Sequence, residues 1–200
     1  MESTPRTVIF IGRSGSGKGT QGRLLENYLS QEESAFPVLY LESGARFRSF
    51  VEGGSVTADI SKKTHNRGGL QPSFLSIWVW AGALIESFTG KEHLIFDGAP
   101  RREKEAYVLA EALKFYGRVR PTVVFLDISE ACARERLIAR GRHDDVDEFS
   151  IRSRMEWYET DVLPALEALR RDPHITFLTV DGERTIEVIH EEIIRNVTGT

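Results

Sequence analysis

VIFIGRSGSGKGTQ, residues 8–21, sets an apolar, β-branched run directly against four glycines, a lysine and a threonine. An apolar run without polar alternation is a strand buried on both faces. Glycines after such a strand let backbone N–H groups wrap an anion, and the helix that opens at Lys18 adds its positive end. Gly12, Gly17 and Lys18 keep the spacing of a phosphate-binding loop. Gly19 stands where Ser or Thr is common, and Thr20 is the next hydroxyl. A plain strand-to-helix turn has no need of Lys18. The loop therefore predicts a phosphate-bearing nucleotide, without separating a kinase from a GTPase or a transporter ATPase.

The pattern of that first strand and helix continues along the chain. Strands are expected at Thr7–Ile11, Val38–Leu41, His93–Phe96, Pro121–Asp127 and Ile175–Val180. Helical spacing covers Lys18–Leu29, Pro72–Phe88, Arg102–Tyr116, Glu130–Arg140, a stretch through Arg154 and Leu163 bent at Pro164, and Arg184–Val197. Strands separated by helices predict an α/β fold with a five-stranded parallel sheet covered on both faces. Residues 42–72, mixed and polar with paired glycines at 53–54 and 68–69, read as a small insert within one domain spanning 1–200. Ligands of such sheets sit beyond the carboxyl ends of the strands. GRSGSGKGT, LESGARFR, DGAPRR and the stretch after Asp127 all fall there.

Composition narrows the partners. The 200 residues carry a formal net charge of -4, so no general basic excess points to a nucleic-acid polymer or an acidic membrane surface. The lone Cys132 excludes an intramolecular disulfide and makes a cysteine zinc site a poor fit; it agrees with a reducing cytoplasm. The longest apolar stretch, SFLSIWVWAGALI, is too short to span a bilayer. Its WVW, residues 78–80, reads as helix-to-sheet packing.

Positive charge is focused instead. Arg48 follows the second strand and Arg101 the third, while Arg136, Arg140, Arg142, Arg152 and Arg154 surround the polar segment GRHDDVDE. Arginine's planar fork binds phosphate bidentately. Phosphoryl transfer needs such donors around two anionic substrates and around the moving group. Arg118, Arg120 and Arg134 read as solvated helix positions, and the five histidines as ordinary polar or surface residues without metal-ligand spacing. Asp144 and Asp145 are expected to pair with neighbouring arginines. Asp97 ends a buried strand and could order metal-bound water or cap the following turn.

With these segments in place, the chain resembles the adenylate kinase family of nucleoside monophosphate kinases in its short-lid form. GRSGSGKGTQ matches the family's GxxGxGKGTQ, so Gly19 is what the family carries. LESGARFR resembles its acceptor segment through Ser43, Gly44 and Arg48; DGAPRREKEA resembles DGFPRxxxQA; ERLIARGRHDD resembles the short lid, and RMEWY the segment after it. The resemblance implies a phosphate-loop NTPase-like three-layer fold, with 42–72 as the acceptor-binding insert and 136–154 as the lid region. It implies ATP and Mg2+ as cofactors, a nucleoside monophosphate as substrate, a monomer, and a cytoplasmic enzyme with no membrane or nucleic-acid partner.

The same resemblance assigns roles. Lys18, Arg101, Arg142 and Arg154 would act on the transferring phosphoryl group. Gly15, Ser16, Gly17, Lys18, Gly19, Thr20, Arg136 and Arg140 would hold ATP. Ser43, Gly44, Arg48, Gly98, Arg101 and Glu105 would hold the acceptor, and Asp97 the metal through water. The expected reaction is ATP + AMP = 2 ADP. The alternatives are a kinase preferring GMP or a pyrimidine monophosphate, a different phosphate-loop kinase, and a nucleotide-binding regulatory protein without turnover. The chain departs from the family at Ser14 and Ala45 and by one extra residue between Asp145 and Arg154, which makes Arg152 a competitor for Arg154's role. It also carries Glu105 in place of the glutamine that reads adenine. A carboxylate offers only acceptors, which suits the two donors of guanine's N1 and N2 edge, unless Glu105 merely pairs with Arg102 or faces solvent.

Overall fold

The structure, a computed structural model, describes residues 4–33, 35–66, 68–141 and 148–199. Arg142, Asp144 and Asp145, expected in the lid, lie outside the described residues. Strand β1 (Thr7–Gly12) is buried along its whole length, as its unbroken apolar run requires. Strands β2 (Val38–Glu42), β3 (His93–Asp97), β4 (Thr122–Asp127) and β5 (Thr176–Asp181) complete a five-stranded sheet in the order β2-β3-β1-β4-β5. Every pairing is parallel, as expected. The register sets Gly12 against Leu126 and Glu42 against Asp97, so the strands finish along one common edge.

Successive β1 residues feed opposite cores, as the pleat dictates. Val8 and Phe10 pack with Leu25 and Leu29 of helix α1 (Lys18–Glu32) and Ile189 and Ile193 of the final helix. Ile9 and Ile11 pack on the other face with Trp80, Leu109 and Leu166. Three layers result.

The insert becomes two helices, α2 (Ser43–Phe50) and α3 (Val56–Asn66), followed by α4 (Ser73–Ser87). Helix α4 divides the WVW stretch: Trp80 is in the core, while Trp78 is exposed and meets Phe50 edge-on. Helical geometry puts positions two apart on different faces, so only part of the stretch packs on the sheet. Helix α5 (Glu103–Phe115) follows β3, and α6 (Glu130–Arg140) follows β4. The predicted bend lies ahead of Pro164. Helix α7 (Glu148–Trp157) passes into a π-helical turn (Tyr158–Val162) before α8 (Leu163–Arg170). Pro164 has no N–H for the carbonyl four residues back, and the backbone widens so that Leu163 N–H reaches Tyr158 O. Helix α9 (Ile186–Thr198) closes the fold. Among the described residues, no helix is long and apolar enough to cross a membrane.

Two surface expectations are corrected at the edge where the strands begin. Arg118 is buried, donating from Nε to Thr7 Oγ1 at 2.8 Å and from Nη2 to the carbonyls of Pro5 and Arg6 at 2.7 Å each. His93 is fully buried, and its Nδ1 accepts from the Arg6 amide at 2.9 Å. Both lie among backbone carbonyls and edge groups that local sequence does not reveal.

Candidate active site

A cleft of about 900 Å³ opens at the carboxyl edge of the sheet and takes in the phosphate loop, the start of α1, the insert and the ends of α6 and α7. The loop's turns require glycine. Gly17 caps α1 in the left-handed region at φ 92°, and Gly15 has φ 89° with so little room that a Cβ would lie 2.8 Å from Ala133 O. Gly19 sits close to the end of β3: a Cβ there would lie 3.3 Å from the Asp97 carboxylate, which would have to give by a few tenths of an ångström. The loop thus trades the usual hydroxyl for a close approach between α1 and the end of β3. Thr20 is exposed and lines the cleft, as do Gly15, Ser16 and Gly17.

Lys18 folds back over the loop, with Nζ donating to Gly12 O at 2.9 Å and Arg13 O at 2.7 Å. Burial brings its ammonium down to about 7; Asp97 opposes that shift, while Arg101, Arg140 and Arg154 add to it. Arg101 is likewise held below the usual guanidinium range, first by burial and then by Arg154. Its Nε donates to Gly98 O at 2.8 Å, and its guanidinium lies 5.5 Å from the Trp157 ring centre. Buried cations crowded together in this way are a ready site for polyanions.

Most of the predicted residues meet here. Arg136, Arg140, Arg154 and Asp97 line the cleft together with Ser43, Gly44, Arg48 and Gly98. Arg136 donates from Nη1 to Gly182 O at 2.8 Å, tying the end of α6 to the turn after β5. Arg48 is paired with Glu42, Nη2 to Oε1 at 2.9 Å, so an incoming anion would compete for it. Ser43 spends its hydroxyl proton on Asp97 O at 3.1 Å and fixes the ends of β2 and β3 together. Between the two competing arginines, Arg154 lines the cleft, whereas Arg152 is exposed and bonded to Glu156 one turn along at 2.9 Å.

Glu105 departs from expectation. It is 1% exposed and stands behind the cleft wall, outside the lining. Its Oε2 accepts from Ser76 Oγ at 3.0 Å and from the Arg101 amide at 3.0 Å. Burial pushes its carboxyl up, and these two bonds pull against that. Arg102, the partner weighed for it, pairs with Asp161 at 3.0 Å instead. The carboxylate thus supports Ser76, which does line the cleft, and the backbone that presents Arg101.

Tyr40 and Trp157 carry no separate functional signal in the sequence. Tyr40 OH donates to Asp97 Oδ2 at 3.1 Å; burial and the nearby Asp97 push its phenol up, so it stays a donor. Trp157 Nε1 donates to Gly68 O at 3.0 Å, joining α7 to the insert. Ser76 interrupts the apolar run of α4, and nothing in its local sequence marks it as a cleft residue. Among the described residues, no group of three or more His, Cys, Asp or Glu could cage a metal. Asp97, with one oxygen engaged by Tyr40, suits a hard cation that keeps its waters and leans on phosphate oxygens.

Comparison with known proteins agrees with this geometry. A family model described as an AAA domain matches residues 11–152. An adenylate kinase from Prochlorococcus marinus (strain MIT 9301) is 31% identical over 186 residues, covering 93% of this chain and 95% of that protein. One from Bacteroides fragilis is 29% identical over 194 residues, covering 95% and 97%. One from Corynebacterium urealyticum is 27% identical over 184 residues, covering 92% and 94%.

Proposed function

The chain belongs to the adenylate kinase family, and from that premise we propose that it transfers the γ-phosphoryl group of ATP reversibly to AMP, forming two ADP. The observation that carries this reading is the convergence of Lys18, Arg101, Arg136, Arg140 and Arg154 on one cleft that also contains the Asp97 carboxylate at the end of β3. Two phosphate chains brought end to end need that density of positive charge, and the transfer itself needs little more than alignment and charge stabilisation.

Lys18 and the loop amides hold the donor phosphates, with Arg136 and Arg140 closing from the lid side. Arg48, released from Glu42, and Arg101 grip the acceptor phosphate. Arg154 neutralises charge on the moving group. Arg142 is assigned the same work by family likeness. The acceptor phosphate is already an anion, so no strong general base is required. Asp97 would hold Mg2+ through water, and the ion would supply charge neutralisation between donor phosphates. The names of the relatives favour AMP. The engagement of Glu105 Oε2 by Ser76 and the Arg101 amide, behind the cleft wall, supports AMP over a guanine acceptor.

Initial rates with ATP fixed and AMP, GMP, CMP, UMP or dTMP varied test this reading. AMP is expected to give the highest kcat/KM. A clear preference for another monophosphate overturns the acceptor, and ATP binding without transfer to any of them overturns the activity.

A further inference from the structure

Arg13, the first residue after Gly12 in the phosphate loop, sends its side chain away from the cleft. Its backbone remains central: the carbonyl accepts from Lys18 Nζ at 2.7 Å and from the Ser16 amide at 3.1 Å. The guanidinium is anchored on the opposite side. Nε donates to Ile128 O at 3.2 Å, beyond the end of β4, and Nη2 donates to Glu159 Oε1 at 2.6 Å. The guanidinium carbon also lies 4.0 Å from the centre of the Tyr158 ring, which is itself buried. Tyr158 and Glu159 open the π-helical turn, and Tyr158 follows Arg154 by one helical turn, on the same face. One continuous set of contacts therefore runs from Lys18 through Arg13 to the helix that carries Arg154.

We propose that Arg13 and Glu159 are a positioning pair that fixes Lys18 relative to Arg154, and so sets the rate of the transfer proposed above. The pair rests on that reading for its consequence, though not for its geometry. Lys18, Arg101, Arg140 and Arg154 line one cleft and repel one another; burial first, and then these arginines, weaken the hold of Lys18 on its proton. A tie between the loop and α7 keeps these cations at fixed spacing before the phosphates arrive, and donors placed in advance cost no reorganisation at the moment of transfer. Neither Arg13 nor Glu159 lines the cleft, so neither touches substrate. The Glu159 side chain is 53% exposed, and an ion pair of that kind contributes little to overall stability. Its contribution is geometric. The π-helical turn fits the same role, since such turns re-aim side chains and occur frequently at functional sites.

Arg13→Ala, Glu159→Gln and the double substitution, each in the full chain, test the pair. Each single change is expected to lower kcat about tenfold while KM for ATP and for the acceptor stays within about twofold, the signature of lost alignment. The double variant is expected to be no slower than the slower single, because both remove one tie. Hydrogen exchange at the Ser16 amide should accelerate about tenfold in both singles, with the β1 amides of Ile9 and Phe10 unchanged. Losses in kcat that multiply, or an unchanged Ser16 amide, overturn the proposal. If the unsubstituted chain phosphorylates no monophosphate, the functional reading fails, and Ser16 exchange alone decides on the pair.

Discussion

At the edge where the strands begin, Arg6 and Arg118 have their donors met by the protein. Arg6 reaches Glu33 at 2.7 Å and Val197 O at 2.6 Å, while Arg118 reaches Thr7 Oγ1 and the carbonyls of Pro5 and Arg6. At the opposite edge, Lys18 and Arg101 sit among other cations: burial lowers the proton affinity of Arg118, Lys18 and Arg101 alike, but Glu92 opposes it at Arg118 while neighbouring arginines add to it at Lys18 and Arg101. The same side-chain chemistry thus closes one end of the sheet and leaves the other primed for anions. Burial alone does not separate the two. What separates them is the neighbouring charge: an acidic Glu92 near Arg118, further arginines near Lys18 and Arg101.

Lys18→Met should break the comparison hardest. It removes a donor to the transferring group, so kcat should fall about 10²–10³-fold, measured by coupled assay, while the fold survives. The same site sets a pH dependence. In the ligand-free protein Lys18 releases its proton near 7, against 10.5 for an ordinary lysine. Between those values the unfolded chain holds a proton that the folded chain lacks, so stability rises with pH across that window. ATP favours the charged form, and its binding at about pH 8 should therefore take up a proton, read by calorimetry in buffers of different ionisation enthalpy. Lys18→Met should abolish that uptake.

Arg118→Ala should show the opposite behaviour. It strands the Thr7 hydroxyl and the Pro5 carbonyl and leaves the Arg6 carbonyl with the Leu94 amide alone, costing about 1–3 kcal/mol in denaturant unfolding, with kcat of the folded enzyme within about twofold. A large loss of kcat there would erase the distinction between the two edges. Smallest is Arg152→Ala. With 74% of that side chain exposed in a one-turn pair with Glu156, stability should move by no more than about 0.5 kcal/mol and kcat hardly at all. A severe kcat loss would return the transfer role to Arg152.

What the sequence made legible follows the same division. The phosphate loop, the five strands and most cleft arginines lie in local patterns, where glycine spacing and apolar runs have direct physical causes. Arg118 and His93 are buried where local sequence predicts surface, because they bond to backbone groups distant in the chain. The family resemblance sets Glu105 at the acceptor in the place of a glutamine, whereas in the fold α4 supplies Ser76 and the carboxylate acts as a support. Arg13 carried no signal at all, since its importance lies in Tyr158 and Glu159, 145 and 146 positions away. The break in the helix was visible at Pro164, whereas the π-helical geometry that absorbs it was not.

The central claim, reversible transfer between two nucleotides in one cleft, is tested most directly by supplying ADP and Mg2+ alone and following phosphorus resonances to equilibrium. ATP and AMP should appear in equal amounts without inorganic phosphate. ADP that persists unchanged, or that yields AMP with free phosphate, would contradict the account.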